Sequence, residues 1–432
     1  MKYKNINLFI LTLLAIIITS QFNACQTNNL GVSKSENVSV PRGAYYTGEY
    51  QNLFKDLLNK SETEINSKIE KTYNQLFYGN DSTQRIFYPV GDDMGYIKDI
   101  NNNDIRTEGM SYGMMITVQL NKKIEFDEIW KWAKKYMQFN DGPHKRYFAW
   151  HCNDEGKKLS TSTASDGEEW FVTALFFASA RWGDGEGIFN YSSEAQQILD
   201  AMLTKVENSD DPKVITNMFN RKEKMVVFVP NGDADNFTDP SYHVPHFYEL
   251  WARWANKENQ FWCDVASTSR EYFKKTVNQK TGLVPDYSNF DGTPLDKWGG
   301  GHENFQFDAW RFAMNVAVDY DWFRKDKWAI EQSNRLLNFF YLQGISDYGN
   351  TFTLDGKQLT DNHSTGLVAM NAVASLASTN ENRKEFVQAL WNVEIPDGHY
   401  RYYDSMLYMF GLLQVSGNFK IYRLSDITNK CD

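Results

Sequence analysis

Cysteine and positive charge are both scarce in this chain, and each shortage argues against a class of site or partner. The four cysteines, at positions 25, 152, 263 and 431, form no CxxC pair and have no ligand-like spacing to histidine, so they give no sign of a metal site. Lysine and arginine number 45 against 55 aspartates and glutamates, and no basic patch or basic helix occurs. The net charge of −10 disfavours nucleic acid and anionic membrane surfaces as partners, and a neutral substrate fits better.

Long apolar runs are absent beyond the N-terminus. Lys2 and Lys4 precede an apolar run over residues 8–18, which is too short to span a bilayer and leads into small and polar residues ending at Ala24. This pattern predicts a secretory signal over residues 1–24. Cys25 directly follows, as in a bacterial lipoprotein cleavage site, and would become the lipidated first residue. A plain signal peptide with an incidental cysteine is the alternative.

The segment after Cys25 is polar and free of aromatic residues, which predicts a flexible tether over residues 25–41. No acidic cluster follows Cys25, so we expect an exported, lipid-anchored protein on the periplasmic side rather than at the cell surface. The lipid would be its only contact with the membrane. Export would permit a disulfide, but the sequence does not say which cysteines pair.

Linkers rich in proline, glycine or serine are also absent after residue 41, so residues 42–432 are predicted to form one domain. Apolar residues recur there at helical spacing, and some segments are apolar nearly all round while others are amphipathic. Paired inner and outer helices of this kind predict an all-α toroid, although no sequence repeat is visible. The predicted helices cover residues 50–78, 107–120, 125–139, 166–182, 192–207, 240–256, 262–279, 303–322, 325–343, 361–378, 381–392 and 401–414.

Aromatic residues are abundant, at 15% of the chain with 13 tryptophans and 24 tyrosines. Many of them lie in predicted loops beside Asp, Asn and Gly. Flat apolar faces with a polar rim suit sugar rings, because the C–H faces of a sugar stack on aromatics while its hydroxyls need hydrogen-bond partners. For any single aromatic residue, ordinary packing is the alternative.

Glu108 is the first candidate catalytic residue. It stands beside Gly109 at the start of the apolar run 110–120, which reads as a buried helix. Burial dehydrates a carboxyl and raises its pKa toward the range in which it can donate a proton at neutral pH. The alternative is that Glu108 merely caps the helix.

Two further carboxylates stand at the starts of apolar helices. Asp166 leads into the run 171–180, where it or Ser165 could instead act as a helix cap. Asp308 lies three residues before Arg311, so that the arginine can hold the carboxylate ionised and oriented, as a general base requires. The alternative is a surface ion pair, but the surrounding segment is too apolar for a surface helix.

Four motifs in this order resemble glycoside hydrolase family 8. They are Thr107-Glu108-Gly-Met-Ser-Tyr-Gly-Met-Met115, Ala164-Ser-Asp166-Gly-Glu168, Asp239-Pro-Ser-Tyr242 and Asp308-Ala-Trp-Arg311. The resemblance spans residues 42–415. It implies an (α/α)6 barrel of six inner and six outer helices, and inverting hydrolysis of a β-1,4-linked glycan without a metal or other cofactor.

The resemblance also implies roles for individual residues. Glu108 matches the general acid and Asp308 the general base, while Asp166 matches the carboxylate that binds the distorted sugar at the cleavage point. The positions implied to contact water or substrate are Tyr242 and Arg311, beside the attacking water, and Trp150, stacked on a sugar.

Within the family, the amino-acid sequences of residues 240–251, 303–311 and 361–367 look most like those of the group that releases xylose from the reducing end of xylo-oligosaccharides. His363 is the candidate contact to the reducing-end hydroxyl, and capping of the following helix is its alternative. We therefore expect a monomer that acts on xylo-oligosaccharides. An endo-acting β-1,4-xylanase or β-1,4-glucanase and a non-catalytic glycan-binding lipoprotein stay as alternatives.

Overall fold

The computed structural model describes residues 42–426 and residue 431. The predicted signal segment (1–24), lipidation at Cys25 and tether (25–41) lie outside these residues. The described residues all belong to one compact unit. No helix among them is both long and apolar enough to cross a membrane.

Helices make up most of the described structure. In chain order they are α1 (Ala44–Thr47), α2 (Leu53–Leu58), α3 (Glu62–Tyr78), α4 (Thr107–Gln119), α5 (Lys123–Trp132), α6 (Ser165–Trp182), α7 (Tyr191–Met202), α8 (Pro245–Trp254), α9 (Asn259–Thr276), α10 (Arg311–Phe323), α11 (Trp328–Gln343), α12 (Thr365–Ala374), α13 (Arg383–Asn392) and α14 (Arg401–Val415). A π-helical turn, Ala133–Met137, continues α5, and single 3-10 turns cover Gly187–Phe189 and Phe307–Trp310.

The helices form two concentric rings. The inner ring runs α4, α6, α8, α10, α12, α14, with each helix packed on the next and α14 packed back on α4. Almost every residue of these six helices is buried, including the charged Glu249 and Arg253 of α8. The segments predicted to be apolar nearly all round, 107–120, 166–182, 303–322 and 361–378, correspond to the inner helices α4, α6, α10 and α12. The outer helices α3, α5, α7 and α9 each pack on one inner helix, while α11 packs on α10 and α12, and α13 packs on α12 and α14. These contacts use an apolar stripe of each outer helix. The predicted (α/α)6 barrel is thus confirmed in the described residues.

Several predicted helix boundaries are wrong. The segment 50–78 is two helices, because Asn59 adopts a left-handed conformation (φ 55°) and ends α2, and Ser61 then starts α3 with a capping box. The segment 303–322 becomes α-helical only at Arg311. Phe307 has a φ of 31°, which an α-helix cannot include, so Asp308 lies in a 3-10 turn just before α10.

The prediction of a helical organisation throughout missed three small antiparallel sheets. They pair β1 (Phe87–Val90) with β2 (Met94–Ile97), β3 (Ile105–Arg106) with β4 (His151–Cys152), and β5 (Phe219–Asn220) with β6 (Met225–Val226). In the second sheet Ile105 faces Cys152 and Arg106 faces His151. The backbone N–H of Thr107 then donates to the Trp150 carbonyl at 2.9 Å, which holds the start of α4 against this loop.

Helices α4 and α6 approach closely at their N-terminal turns. A Cβ atom on Gly167 would lie 2.4 Å from Cβ of Thr107, so only glycine permits this contact. The contact brings the first turns of the two helices together. These turns carry Glu108 and Asp166.

One disulfide joins Cys263 of α9 to Cys431, with a Cα–Cα distance of 5.4 Å. Cys152 is buried as a free thiol. The sequence alone had left this pairing open.

Candidate active site

A cavity of about 790 Å³ opens at the N-terminal ends of the inner helices. Its walls come from residues at or before the starts of α4, α10, α12 and α14, so side chains far apart in sequence face one another. Glu108 and Asp308 both line it, as does the predicted substrate contact His363.

Arg311 binds all three predicted carboxylates at one edge of this cavity. Its Nη1 lies 3.0 Å from Glu108 Oε2 and 3.1 Å from Asp166 Oδ2. Its Nη2 lies 3.0 Å from Asp308 Oδ1. The arginine side chain is only 2% exposed, so these charge-assisted contacts form in a largely dry environment. The structure therefore places Glu108, Asp166 and Asp308 around a single guanidinium.

Three further side chains complete this cluster, and the sequence reasoning did not assign them to it. Arg311 Nη1 donates to Tyr112 Oη at 2.6 Å, and Nη2 donates to Ser241 Oγ at 3.0 Å. The Tyr402 hydroxyl donates to Glu108 Oε1 at 3.0 Å. Tyr112 and Ser241 stand inside the motifs that carry the family resemblance, which was the available signal.

Glu108 does not cap α4, because Arg106 occupies the N-cap position and the Glu108 carboxylate bonds to Arg311 and Tyr402. Burial raises its pKa to about 8. The guanidinium of Arg311 opposes that shift, while the neighbouring Asp308 and Asp166 charges add to it. Glu108 can therefore hold a proton near neutral pH, as a general acid must.

Asp166 does not cap α6 either. Ala164 is the N-cap residue, and the side chain of Ser165 bonds to the Phe228 carbonyl. Asp166 lies within the first turn, where its Oδ1 accepts a bond from the Gly167 N–H at 2.9 Å. Burial raises the pKa of this carboxyl, and Arg311 opposes the shift.

Asp308 is the most accessible of the three carboxylates, with 29% of its side chain exposed, against 16% for Glu108 and 8% for Asp166. The i,i+3 ion pair with Arg311 is present, but it spans a 3-10 turn and the start of α10 rather than two positions of one α-helix. The predicted water contact Tyr242 is buried beside it, with Arg311 Cζ 5.6 Å from the ring centroid.

The family model for glycosyl hydrolases family 8 matches residues 92–417. The chain belongs to this family. It is 46% identical over 386 residues to the reducing-end xylose-releasing exo-oligoxylanase Rex8A of Paenibacillus barcinonensis, covering 88% of this chain and 99% of the relative. The protein is therefore a glycosyl hydrolase.

Two solved family 8 structures resemble the whole described barrel. Rex8A in complex with xylose superposes with a TM-score of 0.84 at 45% identity, covering 89% of this chain and 100% of Rex8A. A catalytic mutant of a xylanase from Teredinibacter turnerae, in complex with xylohexaose, gives a TM-score of 0.85 at 45% identity, covering 88% of this chain and 100% of that one.

The two remaining predicted contacts have different positions in this family 8 site. His363 lines the cavity, and its Nδ1 lies 2.8 Å from the Tyr348 carbonyl oxygen, so it does not cap α12. Trp150 stacks on His151 at 3.6 Å between ring centroids, and Arg106 lies over its ring. Arg106 lines the cavity, whereas Trp150 is not among the residues that line it.

Proposed function

We propose that this protein is an inverting hydrolase that releases xylose from the reducing end of β-1,4-xylo-oligosaccharides. One observation carries the proposal. At the edge of the cavity, Arg311 contacts both Glu108, whose raised pKa lets it hold a proton, and the more accessible carboxylate of Asp308. The chain that carries this site is 46% identical to an exo-oligoxylanase over 99% of that relative. The alternative of the same chemistry is an endo-acting xylanase, because the Teredinibacter turnerae xylanase is equally similar.

The proposed reaction uses the two carboxyls on opposite faces of the sugar. Glu108, protonated near neutral pH, transfers its proton to the glycosidic oxygen as the C–O bond breaks. Asp308 takes a proton from a water molecule whose oxygen bonds to the anomeric carbon from the other face. Inversion follows because attack and departure occur on opposite faces, with room for one water between base and sugar.

The other residues bind and orient. Asp166, buried beside Arg311, would accept hydrogen bonds from the sugar at the cleavage point. Arg311 holds Asp308 through Nη2, and Tyr242 beside it would contact the attacking water. Stacking of a more distant sugar on Trp150 stays a prediction, because His151 and Arg106 already contact its ring and it does not line the cavity.

His363 is the proposed reducing-end contact. Its Nδ1 must carry a hydrogen, because its neighbour, the Tyr348 carbonyl oxygen, can only accept. In the neutral ring Nε2 is then an acceptor. A hydroxyl on the anomeric carbon of the terminal xylose could donate to it, and an internal xylan residue has no such hydroxyl.

A product time course separates exo from endo action. We would follow xylotriose and xylotetraose, each in its native form and with its reducing end chemically reduced, with cello-oligosaccharides alongside. Stepwise release of xylose from the native series alone supports the exo-oligoxylanase. Mixed internal products would indicate an endo-xylanase, and hydrolysis of the glucose series would indicate a glucanase.

The variant E108Q separates the hydrolase from a non-catalytic glycan binder. We expect kcat to fall by about 10²–10⁴-fold, because the amide cannot donate the required proton, while binding of xylotriose persists. The control E385Q changes an exposed glutamate on the outer helix α13 and should keep wild-type turnover. A wild-type protein that binds xylotriose without hydrolysing it would favour the binder.

We also propose that the protein is exported, lipidated at Cys25 and held as a monomer on the periplasmic side of the membrane. The sequence of residues 1–25 supports export and lipidation. The Cys263–Cys431 disulfide supports export, because such bonds persist in oxidising compartments. Incorporation of a labelled fatty acid that is lost in C25A would test the anchor. Light scattering of the solubilised protein would test the monomer.

A further inference from the structure

A second carboxyl cluster adjoins the proposed base. One carboxyl oxygen from each of Asp239, Asp286 and Asp308 lies within 4.8 Å of the others. Asp239 and Asp286 come from loops and are 0% and 3% exposed. Three ionised carboxylates this close in a buried site would repel one another strongly, so each negative charge needs a partner.

Two of the three carboxylates have a partner that can carry positive charge. Asp308 Oδ1 pairs with Arg311 Nη2 at 3.0 Å. Asp286 Oδ2 lies 2.6 Å from His302 Nδ1, and the His302 ring stacks on Tyr287 with the centroids 4.0 Å apart. The Asp286 carboxylate raises the pKa of His302, which favours the charged imidazolium.

Asp239 has no such partner within residues 42–426 and 431. Its Oδ1 accepts the Ser241 backbone N–H at 2.6 Å, while Oδ2 is buried without a hydrogen-bond partner. A buried carboxylate oxygen in this state loses its hydration and gains no contact in return. A protonated Oδ2 would be a donor, and the carboxyl oxygens of Asp286 and Asp308 within 4.8 Å of one Asp239 oxygen offer acceptors.

The groups packed around Asp239 give it little positive charge. Arg311 faces it from α10 but already holds Asp308, Glu108 and Asp166. The titratable side chains that face it from the remaining elements are Asp286, Asp308, Tyr242, Tyr272 and Tyr287.

The neighbouring His243 does not supply the missing charge, because burial lowers its pKa to about 3 and it bonds only neutral hydroxyls of Thr238 and Ser269. Burial, reinforced by the Asp308 and Asp286 charges, raises the pKa of Asp239 well above its usual range.

We propose that Asp239 stays protonated throughout the reaction and acts as a positioning residue, with its Oδ2–H directed into the cluster to orient and stabilise the ionised Asp308. The separation of up to 4.8 Å is one that a single bridging water spans. This inference rests on the proposed role of Asp308 as the general base. Under this inference the neutral carboxylic acid of Asp239 reduces the repulsion within the cluster, which a bound metal ion would otherwise have to offset.

Two variants, D239N and D239A, distinguish a protonated Asp239 from an ionised one. The variant D239N keeps a neutral donor of the same shape, so we expect a modest fall in kcat and no movement of the acid limb of the pH profile of kcat/KM. The variant D239A removes the donor, so the acid limb should move up by about one pH unit, a loss that D239N largely restores. If Asp239 is ionised, D239N removes a negative charge and moves the acid limb down by about one pH unit, which overturns the proposal.

Folding of the variants is checked by Tm. An isosteric amide replacing a neutral acid should fold, so failure of D239N to fold also counts against the proposal. If D239A does not fold, D239N alone decides.

An infrared difference spectrum between wild type and D239N gives a readout independent of turnover. A protonated Asp239 contributes a carboxylic-acid C=O band that disappears in D239N and persists in wild type at alkaline pH. Carboxylate bands in its place would overturn the proposal. If the wild type fails to hydrolyse xylo-oligosaccharides, or D308N retains activity, the proposed function fails while this spectrum still reports the state of Asp239.

The same variants test for a metal. Under our proposal, EDTA, Mg²⁺, Ca²⁺ and Mn²⁺ leave the Tm of the wild type unchanged. A Tm that rises with one of these ions in the wild type, and not in D239N, would identify a cation site and overturn the proposal.

Discussion

At the scale of single residues, the site depends on the shape of one guanidinium. Arg311 contacts Glu108 and Asp166 through Nη1 and Asp308 through Nη2. A planar fork can hold groups on two nitrogens in fixed directions, whereas a lysine ammonium is a single point charge on a flexible chain. One side chain therefore links the proposed acid to the proposed base.

The variant R311K tests this dependence. It keeps the charge but loses the fork, so we expect kcat/KM on xylotriose to fall by about 10²-fold, the scale of a misplaced catalytic group. The control R423K changes a half-exposed arginine near the C-terminus and should leave kcat/KM unchanged. Activity of R311K equal to wild type would show that charge alone is sufficient.

The pKa of Glu108 predicts the alkaline limb of the pH profile. A general acid must be protonated, so activity is lost as pH rises through its pKa, which burial raises to about 8. We expect kcat/KM to fall with a midpoint near pH 8. The measurement is the kcat/KM profile, which reports the free enzyme, and a midpoint below pH 6 would contradict the assignment.

The variant Y402F should move that midpoint to higher pH. The Tyr402 hydroxyl donates to Glu108 Oε1 and so favours the ionised carboxylate, and its removal makes deprotonation harder. The control Y341F alters an exposed tyrosine on α11 and should leave the midpoint in place. A midpoint that falls in Y402F would contradict this account.

At the scale of helices, the close contact of α4 and α6 positions the carboxylates. Glu108 and Asp166 occupy the first turns of these helices and reach the same Arg311 nitrogen. Gly167 allows the approach, because any side chain there meets Thr107. An ordinary helix separation would move the two carboxylates apart.

The variant G167A should therefore affect both stability and catalysis. Its Cβ would lie 2.4 Å from Thr107 Cβ, so we expect a loss of about 1–3 kcal/mol in unfolding free energy from overpacking. We also expect a fall of about 10²-fold in kcat/KM as Glu108 shifts. The double variant T107G/G167A removes part of the clash and should recover part of both. Equal stability of G167A and wild type in denaturant titrations would contradict the close packing.

At the scale of the whole molecule, the C-terminal segment is attached to the barrel by polar contacts as well as the disulfide. Asp426 accepts hydrogen bonds from Tyr45 and Trp254, and Tyr422 bonds to Arg181 at the end of α6. The Cys263–Cys431 bond joins positions 168 residues apart. A cross-link of this span removes many conformations from the unfolded chain.

Removal of the disulfide should lower stability without altering the cavity. For C263S/C431S we expect a loss of about 2–4 kcal/mol and a lower Tm, with kcat on xylotriose retained. A reducing agent should lower the Tm of the wild type toward that of the variant. It should leave the Tm of the variant unchanged, because the variant has no Cys263–Cys431 bond to reduce. Both proteins keep the free Cys152, so any effect on that thiol is common to them. Alkylation that labels Cys263 and Cys431 without reduction would contradict the pairing.

The residue pattern by itself predicted an all-α toroid and the chemical types in the site, and the family resemblance implied the (α/α)6 barrel. Apolar composition predicted burial for the segments of α4, α6, α10 and α12, because a segment apolar all round has no face for water. Position beside such segments predicted Glu108, Asp166 and Asp308 as candidates. These inferences depend on neighbours within one or two turns, and local periodicity carries that information.

Only the tertiary structure decided which groups meet. Arg311 bonds Glu108 across 203 residues and Asp166 across 145, and Tyr402 bonds Glu108 across 294. The pairing of Cys263 with Cys431 and the meeting of Asp239 with Asp286 arise in the same way. No local pattern contains these contacts, because they join residues that are far apart in the chain and meet only in the folded barrel.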